Sequence, residues 1–382
     1  MGAAMSDRKK TINPRESILR MDPYRPPSSG RGGKLRLDFN ENTIGCSPKA
    51  IRSLKKIAPA DLAVYPGYEQ ALPQFAKYFG VAANEITLTN GTDEAIQLVI
   101  NTYVDAGENV VVLRPAYAMY RFYAQVAGAK IHEVDYSPDL SFPEKDLLTT
   151  LDSRTKAVLI ANPNNPTGTL ASLKQISNVL QAAPNAAVLI DEAYFEFCGQ
   201  TALPWIKRFP NLFVSRTFSK AFGLAAVRLG CLFSCSGNIA SIRKGQSPYS
   251  VNAVAVTLGL EAMRDSKYVR QYASQVLQSR EYFCKELDRL GLRHFPSRAN
   301  FVLIDFGDQS RKVRDALEQK DILVRDRSYE LPGCVRFTLG TLPQTRRLLP
   351  VLKDVMQKLK IPSQPTTMKP IKSAARKTAR TK

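Results

Sequence analysis

The 382-residue sequence predicts an α/β fold: a large domain with a mostly parallel central sheet flanked by helices, then a smaller α+β domain. Three observations predict it. From about residue 84, short runs of Val, Ile, Leu and Ala alternate with helical stretches. Such unbroken apolar runs mark strands buried on both faces, the habit of parallel sheets. After about residue 265 the pattern changes to one long amphipathic helix and a few short elements. The length suffices for two domains and a large core.

The elements follow in order. Glu85-Ile-Thr-Leu-Thr-Asn90 reads as a strand, followed by a glycine turn and a helix over Thr92 to Tyr103. Asn109 to Leu113 is a second strand and Tyr117 to Ala127 a second helix. Strands follow at Lys130 to Tyr136 and Lys156 to Ala161, then a helix over Ser172 to Gln181. Further strands are read at Ala186 to Asp191, Asn211 to Thr217 and Val227 to Ser234. Val269, Tyr272, Val276, Phe283, Leu287 and Leu290 recur at helical spacing, and Gly291 is a natural stop. Two strands (Asn300 to Asp305, Val335 to Leu339) and helices around Arg311 to Gln319 and Gln344 to Leu359 complete the smaller unit. The boundaries read as a flexible N-terminus (1–16), a segment joining the small domain (17–49), a large domain (50–265), a small domain (266–361) and a basic disordered tail (362–382).

Composition narrows the class. With 44% hydrophobic and 23% charged residues, the chain is neither disordered throughout nor collagen-like. No apolar run approaches the roughly 20 residues of a membrane helix, and no apolar stretch follows the basic N-terminus, so a cytoplasmic protein is expected. The six cysteines are dispersed and the two histidines lie far from them, which points to buried reduced thiols and against a metal site. The net charge of +20 concentrates at the ends: nine Lys/Arg against three acids over 1–36, and six against none over 361–382. The tail reads either as a solvated extension or as an electrostatic contact for nucleic acid or another anionic surface. Gly30 to Lys34 (GRGGK) lacks the spacing and the preceding strand of a phosphate loop, and is rejected as a nucleotide site.

Four segments stand at strand ends, where open α/β sheets bind ligands. They are Gly91-Thr-Asp-Glu94, Asn162-Pro-Asn-Asn-Pro-Thr-Gly168, Asp191-Glu-Ala-Tyr194, and Thr217 to Arg228 with Ser219-Lys220 inside it. In this order they resemble the aspartate-aminotransferase superfamily of pyridoxal-phosphate enzymes. Within it the chain is similar to the histidinol-phosphate aminotransferase branch, over roughly residues 17–360. Met21-Asp-Pro-Tyr24, Leu37-Asp-Phe-Asn-Glu-Asn42, Tyr65-Pro66, Arg114 to Tyr120, Tyr249 to Asn252, Leu323 to Asp326 and Val335 to Gly340 extend the likeness.

The resemblance implies pyridoxal 5′-phosphate as cofactor, with Lys220 holding its aldehyde and moving the proton. Asp191 would keep the pyridine nitrogen protonated. Gly91, Thr92 and Asp93 at a helix start, with Thr217, Ser219 and Arg228, would hold the phosphate. Asn165 and Tyr194 would bond the phenolic oxygen, and Tyr117 would stack on the ring. Tyr65 would reach the phosphate from a neighbouring subunit, which implies a homodimer with composite sites. Arg336 would grip the substrate carboxylate. Tyr24, Tyr249 and Arg325 would hold a substrate phosphate, with Asn42 beside them.

The implied reaction exchanges an amino group between L-histidinol phosphate and 2-oxoglutarate, in histidine biosynthesis. An aromatic aminotransferase and a threonine-phosphate decarboxylase use nearly the same cofactor residues and stay open as alternatives. Thr43 stands where the branch usually has proline, and Ala116 where a hydroxyl residue is frequent. A transcription regulator built on this fold carries a helix-turn-helix domain. Only about 36 residues precede the fold here, rich in Pro and Gly, too few for such a domain, so an enzyme rather than a regulator is expected.

Overall fold

The computed structural model describes residues 12–23 and 30–362. Tyr24, residues 1–11 of the N-terminal segment and residues 363–382 of the basic tail lie outside the described residues. The strands in chain order are β1 (Leu35–Leu37), β2 (Ile86–Asn90), β3 (Asn109–Arg114), β4 (Lys130–Asp135), β5 (Thr155–Ala161), β6 (Ala187–Asp191), β7 (Leu212–Thr217), β8 (Leu229–Phe233), β9 (Phe301–Asp305), β10 (Ile322–Asp326) and β11 (Cys334–Thr338). The main helices are α1 (Gly91–Tyr103), α2 (Ala118–Ala127), α3 (Leu173–Ala182), α4 (Ala253–Arg264), α5 (Ser266–Arg289), α6 (Ser310–Glu318) and α7 (Leu342–Lys358).

Seven strands form the large sheet, in the order β2-β8-β7-β6-β5-β3-β4. Six point one way, and β8 alone runs antiparallel to both its neighbours. The mostly parallel sheet read from the apolar runs is therefore present. Its interior shows why the runs are unbroken: Val158, Leu159 and Ile160 are consecutive in β5 and all essentially buried. Helices cover both faces, so neither alternate set faces water. Burying each such side chain contributes roughly 1.5–3 kcal/mol.

Parallel neighbours require a crossover, whereas antiparallel ones can be joined by a loop. Because β8 returns directly beside β7, residues 218–228 form a loop held at the C-terminal edge of the sheet. This topology places Lys220 where it stands. The helix starts are locally encoded: the Ser172 hydroxyl accepts from the Gln175 amide N–H, and Gln175 Oε1 accepts from the Ser172 N–H. At the far end of α5, Gly291 takes a φ of +63°, the left-handed stop the sequence indicates.

The small sheet has the order β1-β10-β11-β9, with β1 parallel to β10 and the other pairs antiparallel. The sequence reading finds β9 and β11 but not β1 or β10. Pairing with β10 makes Leu35–Leu37 of the N-terminal segment a strand of the small sheet. Residues Glu16–Leu19 form one helical turn against α2, where Ser17 Oγ donates to the Val126 carbonyl at 3.4 Å. No helix among the described residues is long and apolar enough to cross a membrane.

Candidate active site

Asp191 ends β6 and Thr217 ends β7, so both side chains reach the same edge of the sheet. The register sets Asp191 opposite Ser215, whose hydroxyl donates to Oδ1 at 2.9 Å. The Tyr120 hydroxyl donates to Oδ2 at 2.8 Å. The residue is 4% exposed, and burial raises its pKa to about 6 against the lowering effect of these two hydroxyls. Two neutral donors leave a buried carboxylate without counter-charge, and a protonated ring nitrogen would supply it.

Lys220 Nζ faces this carboxylate across a cavity of about 590 Å³ and donates to the Phe39 carbonyl at 2.9 Å. Burial, and after it the charge of Arg336, brings its pKa down to about 8. The nucleophilic neutral amine is thereby accessible near neutrality.

An anion cradle closes one end. Gly91 opens α1 with φ +73°, and a Cβ there would stand 2.4 Å from the Arg228 guanidinium. A side chain there would strain the left-handed backbone and push the guanidinium aside, so glycine suits the position. Arg228 donates to Asp93 at 3.1 Å and to Ser219 Oγ at 3.4 Å, while Tyr117 donates to the other Asp93 oxygen at 2.8 Å. Thr217 Oγ1 accepts from the Ser219 N–H at 3.1 Å. The α1 start, Thr92, Thr217, Ser219 and Arg228 thus gather at one edge of the cavity as a group of donors suited to an anion.

The opposite wall comes from the small sheet. Arg336 of β11 lies directly across from Arg325 of β10. Arg327, two residues on, lines the same cavity. Like charges opposite one another in a sheet repel unless an anion lies between them. Arg336 is buried, which lowers its pKa to about 10, and Arg327 adds to the effect. It donates to the Asp38 carbonyl at 2.6 Å and to Asn165 Oδ1, yet its Nε has no acceptor among the described residues. Tyr194, on the β6 side, accepts from Asn40 Nδ2 at 2.9 Å.

Thr92, Asp93, Tyr117, Asn165, Asp191, Tyr194, Thr217, Ser219, Lys220, Arg228, Arg325 and Arg336 therefore gather around one cavity, with Gly91 packed behind Arg228. Three expected residues do not line it. Asn42 is a correction: its amide donates to the Ala221 carbonyl at 2.9 Å and accepts from the Ile44 and Gly45 N–H groups, bracing the lysine loop from outside. Tyr65 and Tyr249 stack on each other at 4.5 Å, 77% and 51% exposed. Sequence reasoning missed Asn40, Glu41, Tyr120, Ser215 and Arg327. The i, i+3 spacing from Tyr117 signals Tyr120, and the i, i+2 spacing from Arg325 signals Arg327.

Residues 33–352 match the aminotransferase class I and II family, and the chain belongs to it. It is 32% identical over 356 residues to a histidinol-phosphate aminotransferase of Geobacillus sp. (strain WCH70), across 88% of this chain and 96% of that relative. The histidinol-phosphate aminotransferase of Clostridium acetobutylicum superposes with a TM-score of 0.78 at 27% identity, covering 85% of this chain and 99% of that one. That of Sinorhizobium meliloti, solved with pyridoxal-5′-phosphate, shares the fold with a TM-score of 0.81 at 24% identity, across 92% and 99% of the two chains.

Proposed function

We propose that this chain is a pyridoxal 5′-phosphate-dependent aminotransferase exchanging the amino group between L-histidinol phosphate and 2-oxoglutarate, with imidazole-acetol phosphate and L-glutamate as the other pair. The observation that carries the reading is the placement of Lys220 between a buried carboxylate and a phosphate cradle, facing a wall of three arginines. The donor set suits the cofactor: among the described residues, no cation pairs with Asp191, and Asp93 is the anion paired with Arg228 at the α1 start.

When bound, the cofactor supplies an aldehyde that carries the amino group and a protonated ring that withdraws electrons. Asp191 holds the ring proton, favoured by its burial. Gly91, Thr92, Thr217, Ser219 and Arg228 anchor the phosphate, Tyr117 covers the ring, and Asn165 and Tyr194 bond the phenolic oxygen. Lys220, as a neutral amine, takes the proton from the substrate Cα and returns it to the cofactor's C4′ carbon. Arg336 turns from the Asp38 carbonyl to the substrate anion, and Arg325, which lines the same cavity, holds the phosphate of the phosphorylated substrate. L-histidinol phosphate has no carboxylate, so Arg336 serves the phosphate side in one half-reaction and the 2-oxoglutarate carboxylate in the other.

The exposed Tyr65–Tyr249 stack supports a homodimer in which each chain completes its partner's site. A biosynthetic role of this kind belongs in the cytoplasm. The basic tail over 362–382 is open to nucleic acid, which a shift assay of the full chain over a salt series tests.

The test of substrate is the visible spectrum of the loaded protein on addition of L-histidinol phosphate, phenylalanine and phosphothreonine in turn. Bleaching of the yellow band by the first, and hardly by the others, is the expected result. Bleaching by phenylalanine alone moves the protein to aromatic substrates, and carbon dioxide release from phosphothreonine makes it a decarboxylase.

A further inference from the structure

The GRGGK string has no part in the reading above, yet its arginine reaches the site. Arg31 grips two carboxylates at once. Nε and one terminal nitrogen donate to Asp38 at 3.2 and 2.8 Å, and the two terminal nitrogens donate to Glu41 at 3.2 and 2.8 Å. Its guanidinium also lies 4.4 Å from the centre of the Phe39 ring, which has Arg325 at 5.5 Å. One side chain therefore fixes residues 38, 39 and 41 of a strap that closes the cavity.

The strap carries more than its own side chains. The Asp38 carbonyl accepts from Arg336, and the Phe39 carbonyl accepts from Lys220. Glu41 lines the same cavity as Lys220 but is turned to Arg31, with Arg36 a weaker second partner at 3.7 Å. We propose that Arg31 is a positioning residue for Lys220: it fixes the strap whose backbone holds the lysine and keeps the Glu41 carboxylate off the amine. The proposal rests on the reading of Lys220 as the cofactor lysine.

The consequence lies in cofactor capture. The neutral amine attacks the aldehyde carbon, a carbon–nitrogen bond forms, and the aldehyde oxygen leaves as water. Only the unprotonated lysine reacts. The charged groups that share the cavity with it are Glu41 from the strap, Asp93 and Arg228 from the cradle, Asp191 across the sheet edge, and Arg325, Arg327 and Arg336 from the small-sheet side. Tyr194 faces it as a neutral hydroxyl. Of these, Glu41 alone is released when Arg31 is lost. A carboxylate swinging toward the amine favours its protonated form.

The experiment follows capture of added pyridoxal 5′-phosphate by cofactor-stripped full-length protein, from its absorbance, between neutral and alkaline pH. Wild type, Arg31→Gln, Arg31→Lys and the double variant Arg31→Gln/Glu41→Gln are compared. For Arg31→Gln we expect capture near neutrality to slow by about tenfold, the effect of a one-unit rise in the lysine's pKa. The rate recovers at alkaline pH, and the double variant returns to the wild-type profile. Arg31→Lys, one point charge against two carboxylates, lies between and carries the test if Arg31→Gln does not fold. An unchanged profile in the single variants overturns the proposal. So does an equal loss at every pH that the double variant fails to relieve. Absence of capture by the wild type overturns the functional reading itself and is read separately, before any variant.

Discussion

At the scale of single residues, Gly91 and Arg228 form one feature. The guanidinium occupies the space a side chain at residue 91 would fill, and both residues hold a left-handed backbone, with φ of +73° and +58°. Gly91→Ala adds about 1–3 kcal/mol of local strain and displaces Arg228 from the phosphate. Equilibrium titration with pyridoxal 5′-phosphate is expected to show binding weakened by at least about tenfold. Asp191 gives a second expectation, in pH. Its folded pKa of about 6 lies above the ordinary 3.8, so between those values the folded, cofactor-free chain binds more protons than the unfolded chain. Stability from this group is present at the acid end and is lost as pH rises through that window. The loss is on the order of 2–3 kcal/mol. In urea unfolding, the stability of cofactor-free wild type should therefore fall by about that amount relative to Asp191→Asn as pH rises through this window. Equal pH dependence of the two contradicts the assignment. Lys220, Asp191 and Arg228 were singled out in the sequence by the resemblance that the four segments carry together; alone, Lys220 reads as one solvated lysine among many and Asp191 as a turn or cap residue. Asn42 was not distinguishable from Asn40, because Asn40 takes a φ of +56° and breaks the alternation that would tell which amide faces inward.

At the scale of elements, the β10–β11 ladder is what makes the site anionic in preference. Arg325 and Arg336 face each other across it, and Arg327 follows on the same side. Arg325→Gln removes one charged donor, worth about 1.5–3 kcal/mol. Steady-state kinetics should then show KM for L-histidinol phosphate raised about 10- to 100-fold with kcat nearly kept. A fall confined to kcat would show that Arg325 acts elsewhere. The ladder was half legible. β11 reads as Val335-Arg-Phe-Thr-Leu339, alternating and apolar enough to mark a strand. β10 offers three apolar residues before Arg325-Asp326, and β1 is Leu-Arg-Leu alone, both too short for a period of two to stand out. The inner strands β3, β5 and β6 announce themselves because burial on both faces leaves their centres apolar, whereas the edge strand β4, Lys-Ile-His-Glu-Val-Asp, is mostly polar and partly exposed.

At the scale of the molecule, two sheets meet on one cavity: the side of the large sheet supplies Lys220, Asp191 and Arg228, and the side of the small sheet supplies Arg325, Arg327 and Arg336. The fold class follows from periodicity, because element type is a local property. Assembly is reached in the sequence only through the resemblance that assigns Tyr65 to a neighbouring subunit, because Tyr65 and Tyr249 are in themselves ordinary loop residues; in the structure the two rings stack on each other in the open. Composite sites carry a sharp expectation. Lys220→Ala and Tyr65→Ala chains, each impaired alone, should regain transfer when unfolded and refolded together, since one site of the mixed dimer has both native residues. A mixture no better than its parents would place Tyr65 outside the partner's site.

The central claim is that Lys220, between Asp191 and the Gly91–Arg228 cradle, is the residue that carries the cofactor. Borohydride reduction of the protein loaded with pyridoxal 5′-phosphate, followed by peptide mass mapping, tests it most directly. The account expects one reduced adduct per chain, on the peptide containing Ser219-Lys220. An adduct on another lysine, or none from a protein that binds the cofactor, would contradict it.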